Sequence, residues 1–278
     1  MKKEKTTMKR FLAIILAGLM LLSLVACGEK KDDNVEKIGV LGGGLKVDLG
    51  SVHNEHYKKD SPYTNFELID YNNLSSALMD LESGKLSSLI LEESAANYVA
   101  ARNEKANVVI NKQKTEFSMM TMDSKQDVYD IINNAIIEMK EDGTLDSLIA
   151  NELKAYIESD PVAKDLPHFD GAVTIKVGVT GDMPPMDFVA ANGKAAGFNI
   201  ALLAEIANRA KVNFELVQIE TGSRAMALSS GKVDVVFWTK SATCTVCNST
   251  GAEKVDGALV TESYFTDNVA RISLKSDK

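Results

Sequence analysis

The chain has 278 residues, a formal charge of −8 and 25% charged residues. An acidic balance excludes nucleic-acid partners, because their binding depends on a basic surface that neutralises phosphates. The length suits two domains of ordinary size.

Residues 1–26 begin with Lys2, Lys3, Lys5, Lys9 and Arg10, continue through an apolar run from Phe11 to Leu22, and lead into Leu24-Val-Ala-Cys27. This is the pattern of a lipoprotein signal peptide. The apolar run is shorter than the about 20 residues of a spanning helix. Small Ala26 fits cleavage before a diacylated Cys27, the predicted lipidation site. Two acyl chains there would anchor the protein stably on the outer face of the cell membrane, so an extracytoplasmic location is expected. Removing residues 1–26 strips five basic residues and one acidic residue, leaving the remainder more acidic still. Residues 27–36 are charged and lack apolar periodicity, which predicts a flexible tether.

From residue 37 the pattern becomes that of a folded domain. Ile38, Val40 and Leu41 predict a strand running into Gly42-Gly43-Gly44, where the chain turns freely. Two segments then share one pattern, from Ala77 to Ile90 and from Ala225 to Phe237. Each reads helix, Ser-Gly-Lys, strand, with the glycine placed to end the helix in a left-handed cap. This predicts two lobes of like topology. Between them, Val128, Ile131, Ile132, Ala135, Ile136 and Met139 form one helix face within Gln126 to Glu141, ended by Gly143. A second helix carries Leu145, Leu148, Ile149 and Leu153 on one side. Both stripes are core-facing and carry no ligand role. Residues 158–172 are polar and broken by Pro161 and Pro167, and they predict a linker. A further strand starts at Val173, and Ile200, Leu203, Ala204, Ile206 and Ala207 mark a helix after Asn199. Alternating strands and helices predict an α/β fold of mostly parallel sheets flanked by helices.

The segments Thr174-Ile-Lys-Val-Gly-Val-Thr180, Asp182-Met-Pro-Pro-Met-Asp-Phe188, Gly197-Phe-Asn199 and Gly231-Lys-Val-Asp-Val-Val-Phe-Trp238 resemble the first lobe of type II periplasmic solute-binding proteins of the polar amino acid class. Phe117-Ser-Met-Met-Thr-Met122, Ile132 to Met139 and Asp142-Gly-Thr-Leu145 resemble that family's closing segment. Ile38 to Gly44 and Ser83 to Glu92 resemble its second lobe. The order is therefore second lobe (37–122), closing helices packing on the first lobe (123–157), linker (158–172), first lobe (173–278). A circular permutation of one two-lobed receptor explains this order. New termini would open at a hinge strand holding Asn268 to Leu274, and a single covalent crossing between lobes would lie near Phe117 to Met122. Fusion of two truncated receptors is the alternative.

The resemblance implies a non-enzymatic receptor that captures a small polar solute, an amino acid or related amine, for an ABC transporter permease, without a cofactor. It implies first-lobe contacts from Thr180, Asp182, Met183, Arg224, Trp238, Thr239 and Ser241. Second-lobe contacts would come from Gly43, Gly44 and Glu92, the last receiving a ligand ammonium. The family's carboxylate-gripping arginine is missing, because Thr245-Val-Cys247 occupies its place; Arg224 or Lys240 would have to substitute. Trp238 is equally a candidate for ligand cover and for core packing, and Met183 and Met186 suggest an adaptable apolar wall. The pair Cys244 and Cys247 reads as a local disulfide outside the cytoplasm. With Cys27 lipidated, too few thiols remain for a four-thiolate zinc site, and His53, His56 and His168 form no metal motif. Two other classes stay open: a dehydratase-like enzyme with Glu92 as general acid, and a thiol-disulfide redox protein using the cysteine pair.

Overall fold

The computed structural model describes residues 35–41, 66–244, 249–251 and 255–275, with Lys112 and residues 239–244 and 249–251 described by backbone alone. The chain opens with strand β1 (Glu36–Leu41), which pairs in parallel with β2 (Phe66–Tyr71) and with β3 (Ser88–Glu92). Helix α1 (Leu74–Glu82) joins β2 to β3. Its start is set by Asn73, whose side-chain oxygen accepts from Ser76 N at 2.9 Å, and it buries Leu74, Ala77 and Leu81. Helix α2 (Glu93–Ala100) follows β3 directly and buries Ala95, Ala96 and Tyr98.

Strand β4 (Ala106–Met122) is 17 residues long, roughly 55 Å at strand rise, and leaves this lobe for the other one. Helix α3 (Gln126–Glu141) buries Val128, Ile132, Ala135, Ile136 and Met139. Each such side chain contributes about 1.5–3 kcal/mol when fully buried, so the stripe decides where this helix sits. Gly143, at φ 76°, separates it from α4 (Thr144–Leu148), which continues through a π turn to Leu153. Residues 158–172 form no helix or extended strand. They are pinned along the lobe: Asn213 accepts from Phe169 N at 2.8 Å and donates to Phe169 O at 3.0 Å, and Lys194 pairs with Asp165 at 2.7 Å.

The remaining chain builds the other lobe. Strand β5 (Thr174–Val179) is followed by the short strands β6 (Asp182–Met183), β7 (Asp187–Val189) and β8 (Ala195–Ala196), which form a small antiparallel sheet. Helix α5 (Phe198–Ala210) starts after Gly197, at φ 102°, where an added Cβ would stand 2.7 Å from Met186 O. Only glycine satisfies both conditions. Arg209 near its end ties α5 to α3 and α4 through Asp142 at 2.7 Å and Thr144 at 2.9 Å, and pairs within α5 with Glu205 at 2.8 Å. Then come β9 (Asn213–Gln218), α6 (Arg224–Ser229), β10 (Val235–Cys244), β11 (Ser249–Gly251), β12 (Ala258–Val260) and β13 (Phe265–Leu274).

The two lobes repeat one unit, β1-β2-α1-β3 in one and β5-β9-α6-β10 in the other. Helix α1 ends with Ser83 N donating to Met79 O (3.0 Å), Gly84 N to Leu81 O (3.2 Å) and Lys85 N to Asp80 O (2.9 Å). Helix α6 ends with Ser230 N donating to Met226 O, Gly231 N to Leu228 O and Lys232 N to Ala227 O, each at 3.0 Å. The glycines have φ of 74° and 70°. The first strand of each unit carries a glycine under its neighbours: a Cβ on Gly39 would meet Leu86 Cδ1 at 2.7 Å, and one on Gly178 would meet Ile219 Cδ1 at 2.5 Å.

One sheet runs through both lobes in the order β2-β1-β3-β13-β4-β10-β5-β9. The flanking strands are parallel, and β13 and β4 in the middle are antiparallel to their neighbours. Two strands therefore cross between the lobes, which corrects the single crossing read from the sequence. Strand β13 pairs with Phe117 to Lys114 at its start and with Ile110 to Ala106 at its end, and its register shifts between Asn268 and Ala270. Such long-range pairing has no signature in local spacing. The architecture is a two-lobed α/β fold. One core lies under α3 and α5 around Ile132, Ile136, Phe198 and Ile206, and a second under α1 and α2 around Leu81, Leu89 and Ala96. A third lies under α6 around Met120, Val236 and Trp238. Among the described residues, no helix is long and apolar enough to cross a membrane.

Candidate functional site

A cavity of about 70 Å³ lies between the lobes. One wall is the end of β3, with Ile90, Leu91 and Glu92; the other holds Arg224, Phe237 and Trp238. These are the carboxyl ends of parallel strands and the helix start that follows, where open α/β sheets leave a crevice for ligands. The two crossing strands supply a floor of packed rings. Phe117 stacks on Phe265 at 5.8 Å, and Tyr264 meets Phe237 edge-on at 6.2 Å and tilts over Phe198 at 6.0 Å.

The polar groups of the cavity divide by lobe. Arg224 is the first residue of α6, is partly buried, and makes no ion pair or hydrogen bond among the described residues. Burial pushes its guanidinium below the usual arginine range, opposed by the nearby charges of Asp187, Tyr264, Glu92 and Asp182. Glu92 faces it from the second lobe. Burial raises its carboxyl above the ordinary range, the neighbouring Asp267 adds to the rise, and Arg224 opposes it. A half-sealed cation without a hydrogen-bond partner beside a buried acid is costly to maintain, and a ligand of opposite charges would relieve both.

Asp187 is already committed. Its Oδ2 accepts from Thr180 N at 2.6 Å and from Thr180 Oγ1 at 3.2 Å, and its Oδ1 accepts from Gly181 N at 3.1 Å. Burial nonetheless raises its carboxyl pKa. Thr221 is 4% exposed and lines the cavity, yet its Oγ1 has no hydrogen-bond partner. Asn199, in the first turn of α5, accepts from Tyr264 Oη at 3.5 Å.

Of the residues expected to contact a ligand, Glu92, Met183, Arg224 and Trp238 line this cavity together. Trp238 is 3% exposed and also packs in the core under α6, so cover and core packing coincide. Thr180 and Asp182 line a neighbouring open groove instead. Asp182 Oδ2 accepts from Leu74 N at 3.0 Å, a bond that joins β6 of one lobe to the start of α1 in the other. Thr239 and Ser241 lie in β10 opposite Phe117 and Glu116, flanking a register shift, and their side chains, like that of Lys240, lie outside the described residues. Gly43, Gly44, Cys27 and Cys247 also lie outside them. Cys244 ends β10 opposite Ser249 of β11, so the described chain on either side of the cysteine pair forms an antiparallel hairpin. A redox turn of the thioredoxin kind leads instead into a helix whose amino terminus lowers the thiol pKa.

Sequence reading missed Phe117, Asp187, Asn199, Thr221 and Tyr264 as cavity residues. Asp187 and Asn199 stood inside the quoted first-lobe segments. For Thr221 and Tyr264 local sequence holds no signal, since the crossing strands and α6 bring them in.

Residues 175–245 match the family model of bacterial extracellular solute-binding proteins, family 3. The arginine-binding extracellular protein ArtP of Bacillus subtilis (strain 168) is 28% identical over 123 residues, covering 43% of this chain and 48% of that protein. The chain thus spans about half the length of this curated relative. Among solved structures, a zinc-bound ligand-binding component of an ABC-type import system from Staphylococcus aureus superposes with a TM-score of 0.45 at 11% identity, covering 85% of this chain and 65% of that one. The effector-binding domain of QuiR in complex with shikimate superposes with a TM-score of 0.45 at 9% identity, covering 88% of each. The two sequence matches make parts of the chain similar to extracellular solute-binding proteins, over residues 175–245 for the family model and over 123 residues for the relative.

Proposed function

We propose that this protein is a lipid-anchored extracytoplasmic receptor that captures an α-amino acid or related amine and delivers it to an ABC transporter permease. The observation that carries the reading is that Arg224 and Glu92 face one cavity from opposite lobes. Arg224 takes the ligand carboxylate in the place of the family's missing arginine, and Glu92 takes the ammonium. Met183 and Trp238 cover the apolar part, and Thr180, Asp182, Thr239, Ser241, Gly43 and Gly44 are the further contact candidates. The named ligand of the Bacillus relative supports the amino acid class. The lipid is carried by Cys27, residues 27–36 are the tether, and Cys244 and Cys247 are disulfide candidates.

The segment order is that of a circular permutant, with 37–122 and 173–278 as the two lobe segments, 123–157 as closing helices and 158–172 as the join. Two facts support it: the repeated β-β-α-β unit, and the nearness of β13 to β1, which both pair with β3 and share the Arg271–Glu36 ion pair. Permutation is mild where old and new ends lie close together.

Isothermal titration of the chain against a panel of amino acids and polyamines tests the receptor reading. Stoichiometric heat without product is expected, and Arg224→Gln should weaken binding about 30-fold or more, as loss of a buried charge partner does. A folded chain that gives neither heat nor a thermal shift across the panel refutes it.

A further inference from the structure

We infer that the cavity selects an α-amino acid with a neutral side chain, and that the Thr221 hydroxyl shares the ligand carboxylate with Arg224. The inference rests on the amino acid reading above and narrows it to a side-chain class.

Charge decides the class. Glu92 is engaged by the ammonium, and both Asp187 oxygens already accept hydrogen bonds from Thr180 and Gly181, so no carboxylate lining the cavity is left for a cationic side chain. Arg224 is the one cation among the described lining residues, and the α-carboxylate occupies it, so an acidic side chain finds no partner. The rest of the wall, including Leu41, Ile90, Met183 and Phe237, is apolar.

Thr221 supplies the remaining polar contact. Its hydroxyl is buried, unpartnered and on the cavity wall, in the turn of 3₁₀ helix that runs directly into Arg224. A buried hydroxyl without a partner is expensive, and a carboxylate arriving at Arg224 would accept its proton in a hydrogen bond.

The test is calorimetric titration of the full-length chain in detergent with alanine, serine, valine, arginine, glutamate and phenylalanine. One of the four neutral amino acids should bind tightest, with arginine and glutamate at least about tenfold weaker. Tightest binding of arginine or glutamate overturns the charge argument while leaving the amino acid reading intact. Absence of heat from all six, with the chain folded, removes both. Thr221→Val should weaken the preferred ligand about tenfold and Thr221→Ser about twofold or less. Equal affinities of Thr221→Val and the unaltered chain refute the role of the hydroxyl.

Discussion

Asp182 offers the sharpest handle on how the lobes hold together. Its Oδ2 accepts from Leu74 N at 3.0 Å, so a carboxylate on β6 of one lobe caps helix α1 of the other. Replacing it with alanine leaves that amide unpartnered at the lobe junction, a loss of about 1–2 kcal/mol for a cap. That corresponds to a roughly 5- to 30-fold shift from the closed toward the open arrangement. Asp182→Asn should do much less. Desolvation holds the Asp182 carboxyl above its usual range despite its backbone hydrogen bonds, so the negative charge itself is not favoured there, and an amide oxygen still accepts. Small-angle X-ray scattering of the unliganded proteins reads the effect as a larger radius of gyration for Asp182→Ala than for Asp182→Asn. Ligand affinity should fall by the same factor as the closed population, because Asp182 lies in the open groove and not on the cavity wall. Identical scattering for both variants and the unaltered chain would refute the reasoning.

Glu92 should set the pH dependence of the unliganded chain. Its pKa is raised in the folded state, so its contribution to stability is present at low pH and lost as pH rises through that raised value. Thermal melts should therefore show Glu92→Gln more stable than the unaltered chain at pH 8 and indistinguishable near pH 4, while calorimetry shows weakened amino acid binding; the reverse pH trend contradicts the assignment. Gly197→Ala should destabilise by about 2–4 kcal/mol, because the new Cβ would stand 2.7 Å from Met186 O and 2.8 Å from Pro185 O at φ 102°. Urea unfolding measures it, and a midpoint unchanged from the unaltered chain is the contrary result.

Several features of the fold were legible because they are local. The face formed by Val128, Ile132, Ala135, Ile136 and Met139 specifies α3 whatever surrounds it, and those residues are buried. The shared Ser-Gly-Lys carried the repeat, because a left-handed residue after a helix is a backbone requirement of the positions Gly84 and Gly231 themselves. Candidate residues fared according to how far their neighbours lie along the chain. Glu92 and Trp238 sit at strand ends, which the strand pattern locates, whereas the hydrogen bond of Asp182 to the start of α1 in the opposite lobe could not be read from the sequence. That pairing spans 108 residues, and no spacing rule reaches it.

The sequence by itself determined the α/β class and the two like units, since both follow from residue type and short-range periodicity, while the family likeness over the last third came from its motifs. Tertiary structure alone decided that two strands cross between the lobes, that Arg224 and Glu92 share a cavity, and that Thr221, Phe117 and Tyr264 complete it. The reason is physical. A strand's register against a distant partner depends on the summed fit of all its neighbours, and a cavity is the space left when two separately packed lobes meet.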